Sequence, residues 1–152
     1  MDFNKLESDK YMVGIRVDGN SIIATGHIMR CMAIAKAIEK LGEKVIFIIA
    51  DEYSKKLITQ SGFEYYCLHT KYDNLDLEIK QMEWIIEEKN IDKILVDSYF
   101  ASENYLITIR KKAFVIYIDD IGKSIYPVDI IINYCLFYKK FCYEKKYLKE
   151  NT

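Results

Sequence analysis

Four residues suited to chemistry stand together at the predicted start of one helix: Thr25, Gly26, His27 and Arg30. Gly26 has no Cβ where the backbone would approach a ligand, and the N–H groups of a helix start attract anions such as phosphate or diphosphate. The positive end of the helix dipole favours the neutral imidazole of His27, which can accept a proton from water. These residues predict a general base beside an anion site. The alternative is that His27 only caps the helix or contacts a neighbouring loop.

The stretch around Gly26 differs from the glycine patterns of common nucleotide sites. The sequence contains neither GxGxxG, which binds a dinucleotide diphosphate, nor GxxxxGK[ST], which surrounds the phosphates of ATP or GTP. We therefore expect neither an NAD nor an ATP site, and no cofactor.

A second group of polar residues follows the predicted strands at the points where those strands end. The group consists of Arg16 and Asp18 after the first strand, Asp51 after the second, Asp97, Ser98 and Tyr99 after the fourth, and Asp119 and Asp120 after the fifth. Ligands of open α/β sheets bind at the carboxyl ends of the strands, so we expect these side chains to converge on one edge. For any single aspartate, the alternative is a cap on a turn or a helix.

The elements that must position these residues are short apolar strands alternating with amphipathic helices. The predicted strands are 11–17, 45–50, 64–68, 93–97, 114–119 and 130–133. The predicted helices are 27–41, 53–61, about 76–89 with Asp73 or Asn74 as its cap, and a short helix capped by Ser102. Strands joined by helices run parallel, with helices on both faces of the sheet. The sequence thus predicts an α/β fold, a Rossmann-like doubly wound and mostly parallel sheet with its first strand central.

Composition excludes several classes of protein. Of the 152 residues 51 % are apolar, which is enough for a core and argues against disorder. The 22 basic and 23 acidic residues give a net charge of −1, so we expect no nucleic-acid partner. No apolar run approaches the roughly 18 residues of a membrane span, and the N-terminal residues lack the apolar core of a secretory signal. We therefore expect a cytoplasmic protein.

The cysteines and histidines show no pattern typical of a metal site. Cys31, Cys67, Cys135 and Cys142 form no CxxC pair, and only two histidines accompany them. We expect four reduced and mostly buried thiols, a solvated surface position for His69, and no metal ion.

Several motifs, in a fixed order, resemble one known family. They are Arg16-Val17-Asp18, TGHIMRC at 25–31, VDSY at 96–99, IDD at 118–120 and VDIIIN at 128–133. Their order and spacing resemble the N-terminal domain of the UDP-sugar hydrolases of pseudaminic acid biosynthesis and their relatives in spore coat polysaccharide synthesis. The resemblance runs from about residue 11 to about residue 134. It implies the N-terminal half of a GT-B fold and hydrolysis of a UDP-linked acetamido sugar.

The resemblance also implies roles for the residues. His27 would activate water, Tyr99 would help to hold the sugar or the water, and the helix start at Thr25 and Gly26 would face the diphosphate. The residues that would bind substrate or order the loops are Arg16, Asp18, Arg30, Asp97, Asp119 and Asp120. The reaction would cleave the C1–O bond of the sugar with water and release UDP without a metal ion.

A division of the chain follows from the same resemblance. We expect an N-terminal extension at 1–10, a Rossmann-like domain at 11–137 and a lysine-rich tail at 138–152 with no further βαβ unit. GT-B enzymes bind the nucleotide mainly on a C-terminal domain, so a missing C-terminal domain or a partner chain is expected to supply the uridine site. Two other functions stay open: the acceptor domain of a GT-B glycosyltransferase, and a non-catalytic sugar-binding or scaffold domain.

Overall fold

A computed structural model describes residues 12–23 and 25–147, which contain one six-stranded sheet. The strands are β1 Met12–Val17, β2 Lys44–Ile49, β3 Glu64–Cys67, β4 Ile91–Asp97, β5 Phe114–Ile118 and β6 Ile130–Ile132. All pairs run parallel in the order β3-β2-β1-β4-β5-β6. The strand order therefore reverses between β1 and β4, which is where open α/β sheets bind ligands. The predicted Rossmann-like fold with a central first strand is confirmed, while the predicted extension at 1–10 lies outside the described residues.

Helices connect the first five strands and cover both faces of the sheet, and a further helix follows β6. They are α1 Gly26–Lys40, α2 Lys55–Gln60, α3 Ile79–Glu88, α4 Glu103–Arg110 and α5 Tyr143–Tyr147. Ser102 caps α4 as predicted, because its Oγ accepts a hydrogen bond from the backbone N–H of Tyr105 at 3.0 Å. No helix among the described residues is both long enough and apolar enough to cross a membrane.

Each face of the sheet carries its own apolar core. Successive side chains of a strand point to opposite faces, so Val13, Ile15 and Val17 of β1 pack with α1 and α2. The opposite face packs against α3 and α4 through residues such as Ile94 of β4. The two cores hold β1 and β4 side by side, and with them the polar residues at their carboxyl ends.

The predicted helix at 76–89 is only partly correct. Its first turn is a 3₁₀ turn, Leu75–Glu78, and neither Asp73 nor Asn74 caps it with a side chain. Glu78 is fully buried there, where its carboxylate accepts from Arg16 Nε at 2.6 Å and from Arg16 Nη2 at 3.0 Å. A buried guanidinium requires such a partner, so the ion pair draws Glu78 into the core and accounts for the tighter turn.

The expectation of mostly buried cysteines is wrong. All four are free, but only Cys31 is buried. Cys67 ends the edge strand β3, while Cys135 and Cys142 lie beyond β6, where the core no longer covers them. His69 is exposed, as predicted.

The described part of the tail packs against the body of the domain. Tyr143 donates its hydroxyl proton to Asp119 Oδ2 at 2.7 Å, and Lys146 donates to the Gly122 carbonyl at 2.9 Å. Gly122 has φ +66°, and a Cβ there would stand 2.5 Å from the Phe141 ring. This position therefore needs glycine for both its backbone angle and its close contact.

Candidate active site

The centre of the candidate site is the hydrogen-bonded pair of His27 and Asp97 at the switch point. Asp97 ends β4, and its Oδ1 lies 2.6 Å from Nδ1 of His27 in the first turn of α1. An ionised carboxylate only accepts, so Nδ1 must carry the proton and donate it to Asp97. Nε2 is then the nitrogen with the free lone pair whenever the ring is neutral. Among the described residues no hydrogen bond is made to Nε2, and the side chain of His27 keeps 10 % of its surface exposed.

Arg30 fixes this pair from one turn further along α1. Its Nε donates to Asp97 Oδ2 at 2.5 Å, its Nη2 donates to Asp97 Oδ1, and its Nη1 donates to Asp120 Oδ2 at 2.9 Å. Burial by itself would raise the pKa of Asp97, but hydrogen bonds from Arg30 and His27 outweigh it and lower that pKa. Asp97 therefore stays ionised and holds the imidazole in one orientation.

Asp120 binds the two tyrosines that border the site. The hydroxyls of Tyr99 and Tyr134 both donate to its Oδ2, at 3.1 and 2.9 Å. Burial raises the pKa of Tyr99, and the neighbouring Asp120 carboxylate raises it further, so this phenol stays a hydrogen-bond donor. The Tyr99 ring also meets the His27 ring edge to face, with centroids 4.7 Å apart. His27 and Tyr99 therefore lie side by side, and Tyr99 is 45 % exposed.

Asp119 and Asp120 are neighbours in sequence but lie on different sides of the sheet edge. Asp120 reaches Arg30 on α1, whereas Asp119 accepts from the backbone N–H of Gly122 at 2.8 Å and from the Tyr143 hydroxyl. Asp119 is 2 % exposed. Its carboxylate thus orders the loop after β5, which is the second of the two roles that the resemblance implied, and among the described residues it makes no hydrogen bond to His27 or Arg30.

Arg16 and Asp18 were predicted to bind substrate, but their side chains are turned into the protein. Arg16 is 0 % exposed, and besides Glu78 it pairs with Asp18 through Nη1 and Oδ2 at 2.6 Å. The other oxygen of Asp18 accepts from the backbone N–H of Ala50 at 2.7 Å. These two residues therefore connect the ends of β1 and β2. They can affect a bound ligand only by positioning the loops that follow these strands.

The helix start is open. Thr25 and Gly26 are exposed, Thr25 makes no side-chain cap, and a Cβ added at Gly26 would meet no atom within 4 Å. An exposed helix start with no side-chain cap is compatible with an anion site beside His27.

Three residues of the site and its support escaped the sequence prediction. Tyr134 follows β6, so the rule that polar residues gather at strand ends could have found it. Glu78 was signalled by Arg16, because a guanidinium in a buried strand needs a carboxylate. Cys31, whose thiol donates to Asp97 Oδ2 at 3.3 Å, gave no signal beyond its place on the inner face of α1.

The fold is similar to that of a solved glycosyltransferase. No family model and no curated protein matches this chain. Among solved structures, it is similar to the crystal structure of a glycosyltransferase from Rickettsia africae ESF-5, with TM-score 0.64 and 17 % identity. The similarity covers 90 % of this chain, which spans 40 % of the length of the other. At this identity the comparison shows a glycosyltransferase-like α/β fold and leaves the hydrolase family as a resemblance of motifs.

Proposed function

We propose that this chain is the sugar-side domain of a nucleotide-sugar enzyme and that it directs water onto a UDP-linked acetamido sugar. The observation that carries the proposal is His27, oriented through Nδ1 by Asp97 at the switch point, with Nε2 unpartnered in the described residues and an open helix start beside it. A base and an anion site in one cleft are what hydrolysis of a sugar diphosphate bond needs.

The proposed reaction uses His27 as a general base. Nε2 takes a proton from water while the water oxygen forms a bond to C1 of the sugar. The C1–O bond to the β-phosphate breaks, and its electron pair leaves with UDP. Asp97 stabilises the imidazolium that forms, Tyr99 donates a hydrogen bond to the sugar or the water, and the helix start of α1 binds the diphosphate.

A second Rossmann unit, in the same polypeptide or in a partner chain, completes the proposed enzyme as the nucleotide-binding half of a GT-B fold. Concave spaces of about 380 and 460 Å³ lie at β6 and the C-terminal segment, away from His27. The strand-end cleft is open, and the chain spans 40 % of the solved glycosyltransferase. The open cleft and the partial coverage of the solved structure both support a facing unit that binds uridine.

The four free cysteines fit the reducing cytoplasm, where we place the reaction.

Glycosyl transfer is the second candidate, and the fold comparison favours it. In that reaction Nε2 of His27 takes the proton of an acceptor hydroxyl, and the sugar passes to that oxygen rather than to water. The same groups serve both reactions, so the product distinguishes them.

Product analysis tests the proposal. The chain, alone and together with the proposed nucleotide-binding unit, is incubated with UDP-linked acetamido sugars, with and without candidate acceptor sugars. Hydrolysis predicts stoichiometric UDP and free sugar in both conditions, whereas transfer predicts a glycoside only when the acceptor is present. Saturable sugar-nucleotide binding with no UDP release in either condition would favour the non-catalytic binding domain instead.

A further inference from the structure

We propose a second site in this protein, for a thiophilic divalent cation such as Zn²⁺, formed by Glu52, Cys67 and His69. Cys67 is the last residue of β3, and Glu52 lies in the loop after β2. The two strands are neighbours in the sheet, with Ile49 in register with Cys67. Adjacent parallel strands therefore bring Glu52 next to Cys67 and His69, which are neighbours in the sequence.

The distances between the donor atoms suit one ion. A sulfur, a ring nitrogen and a carboxylate oxygen, one from each residue, all lie within 4.8 Å of one another. Cys67 Sγ and His69 Nδ1 are 3.6 Å apart. A tetrahedral zinc ion with bonds of about 2.3 Å to sulfur and about 2.05 Å to nitrogen separates two such ligands by roughly 3.6 Å. One ion can therefore bind both donors with almost no movement.

The backbone holds His69 in place. The residues on either side of it are bonded to β2 and the loop that follows, through Leu68 N–H to the Ile49 carbonyl and Thr70 N–H to the Ala50 carbonyl, both at 2.9 Å. His69 itself has φ +54°, a left-handed conformation that is uncommon outside glycine. In the described residues its ring makes one hydrogen-bond contact, with Cys67. The strained turn thus directs the imidazole toward the thiol.

The donor types select the metal. A thiolate with an imidazole favours Zn²⁺ and its borderline neighbours over Mg²⁺ and Ca²⁺, which prefer oxygen ligands. Three protein ligands on an exposed edge leave a fourth position for water. When the ion binds, the Cys67 thiol loses its proton to solvent and its sulfur forms the bond to the metal.

Lys55 offers a test in which metal binding should become tighter rather than weaker. Its ammonium pairs with Glu52 Oε2 at 3.0 Å and so competes with a cation for that carboxylate. Replacing Lys55 with Met removes the competing charge and is expected to tighten metal binding. A cluster of side chains that served only packing would not respond in this way.

The experiment is titration of the full chain with Zn²⁺ and, as a spectroscopic probe, with Co²⁺. We expect one ion per chain and a sulfur-to-cobalt charge-transfer band in the near ultraviolet. Cys67→Ser should abolish the band, and His69→Gln and Glu52→Gln should weaken binding by roughly 10–100-fold or more, the loss already typical of changes outside the ligand set. Cys142→Ser, at an exposed cysteine elsewhere, is the matched control and should bind like the wild type.

The proposal is overturned if the charge-transfer band survives in Cys67→Ser, or if Cys142→Ser loses binding to the same degree. Thermal unfolding without metal checks that the variants are folded. If Cys67→Ser fails to fold, the two exposed positions, Glu52 and His69, carry the test. The outcome is independent of His27 and therefore of the proposed sugar chemistry.

Discussion

At the scale of single residues, Asp97 holds the site together. Its two carboxylate oxygens accept from His27, Arg30 and Cys31, and it is 1 % exposed. A buried carboxylate is stable only with such partners. Because those partners lie on α1, the ionised carboxylate of Asp97 connects His27 to the end of β4.

Asp97 makes the free energy of unfolding depend on pH in the acid range. Its folded pKa lies below the unfolded value of about 3.9, because the hydrogen bonds from Arg30 and His27 outweigh burial. The unfolded chain therefore binds more protons in this range, and the stabilisation is complete above about pH 4 and is lost as pH falls through the folded pKa. Urea unfolding between pH 3 and about pH 6 should show a shallower acid dependence in Asp97→Asn. Asp73→Asn, at an exposed aspartate, should keep the wild-type slope; equal slopes in both variants would contradict this role.

Removing the Tyr99 hydroxyl should lower turnover only modestly. Asp120 Oδ2 keeps Arg30 and Tyr134 as donors in Tyr99→Phe, so no buried charge is left unpaired. One hydrogen bond is worth roughly 0.5–1.5 kcal/mol, which predicts a loss of about twofold to tenfold in turnover. The measurement is UDP release, with Tyr138→Phe, a tyrosine of similar exposure, as the control. A loss above roughly a thousandfold would instead assign Tyr99 the role of a proton-transfer group.

At the scale of elements, the buried pair of Arg16 and Glu78 fixes how β1 meets α3 and α4. The Tyr105 hydroxyl of α4 donates to Glu78 Oε1 at 3.1 Å, and the Thr70 hydroxyl donates to Oε2 at 3.1 Å. Four hydrogen bonds thus satisfy one carboxylate inside the core. The strand-end loops that border the site depend on this pair through Asp18.

Glu78→Gln should therefore destabilise the whole domain. The change removes one of the two carboxylates that pair with the fully buried guanidinium of Arg16, and breaking a buried pair costs roughly 3–5 kcal/mol. The free energy of unfolding, measured by denaturant titration, should fall by that amount. Glu88→Gln, at the exposed end of α3, should change it by less than about 0.5 kcal/mol. If Glu78→Gln were as mild as Glu88→Gln, the pair would not hold the elements together.

At the scale of the whole molecule, the alternation of apolar strands and amphipathic helices was enough to predict the sheet, its direction and its central strand. Applied together with the predicted helix start at His27 and Arg30, the strand-end rule brought Asp97, Tyr99 and Asp120 to one cleft. It failed to separate Asp119 from Asp120, because the side of the edge that each faces depends on where α1 and the C-terminal segment pack. The sequence of an apolar strand also does not show that the side chain of Arg16 pairs with carboxylates inside the protein. Long-range partners decided both of these misses.

The turnover of His27→Asn on a UDP-linked acetamido sugar, with the nucleotide-binding unit present, shows whether His27 is the base. An asparagine amide can still donate to Asp97, but it offers no basic nitrogen in place of Nε2. We predict a kcat lower by roughly 10²–10⁴-fold with little change in substrate affinity, because the helix start binds the diphosphate through backbone N–H groups. Lys36→Asn, an exposed change in the same helix, should keep wild-type turnover. Wild-type turnover in His27→Asn at unchanged affinity would contradict the assignment of His27 as the base.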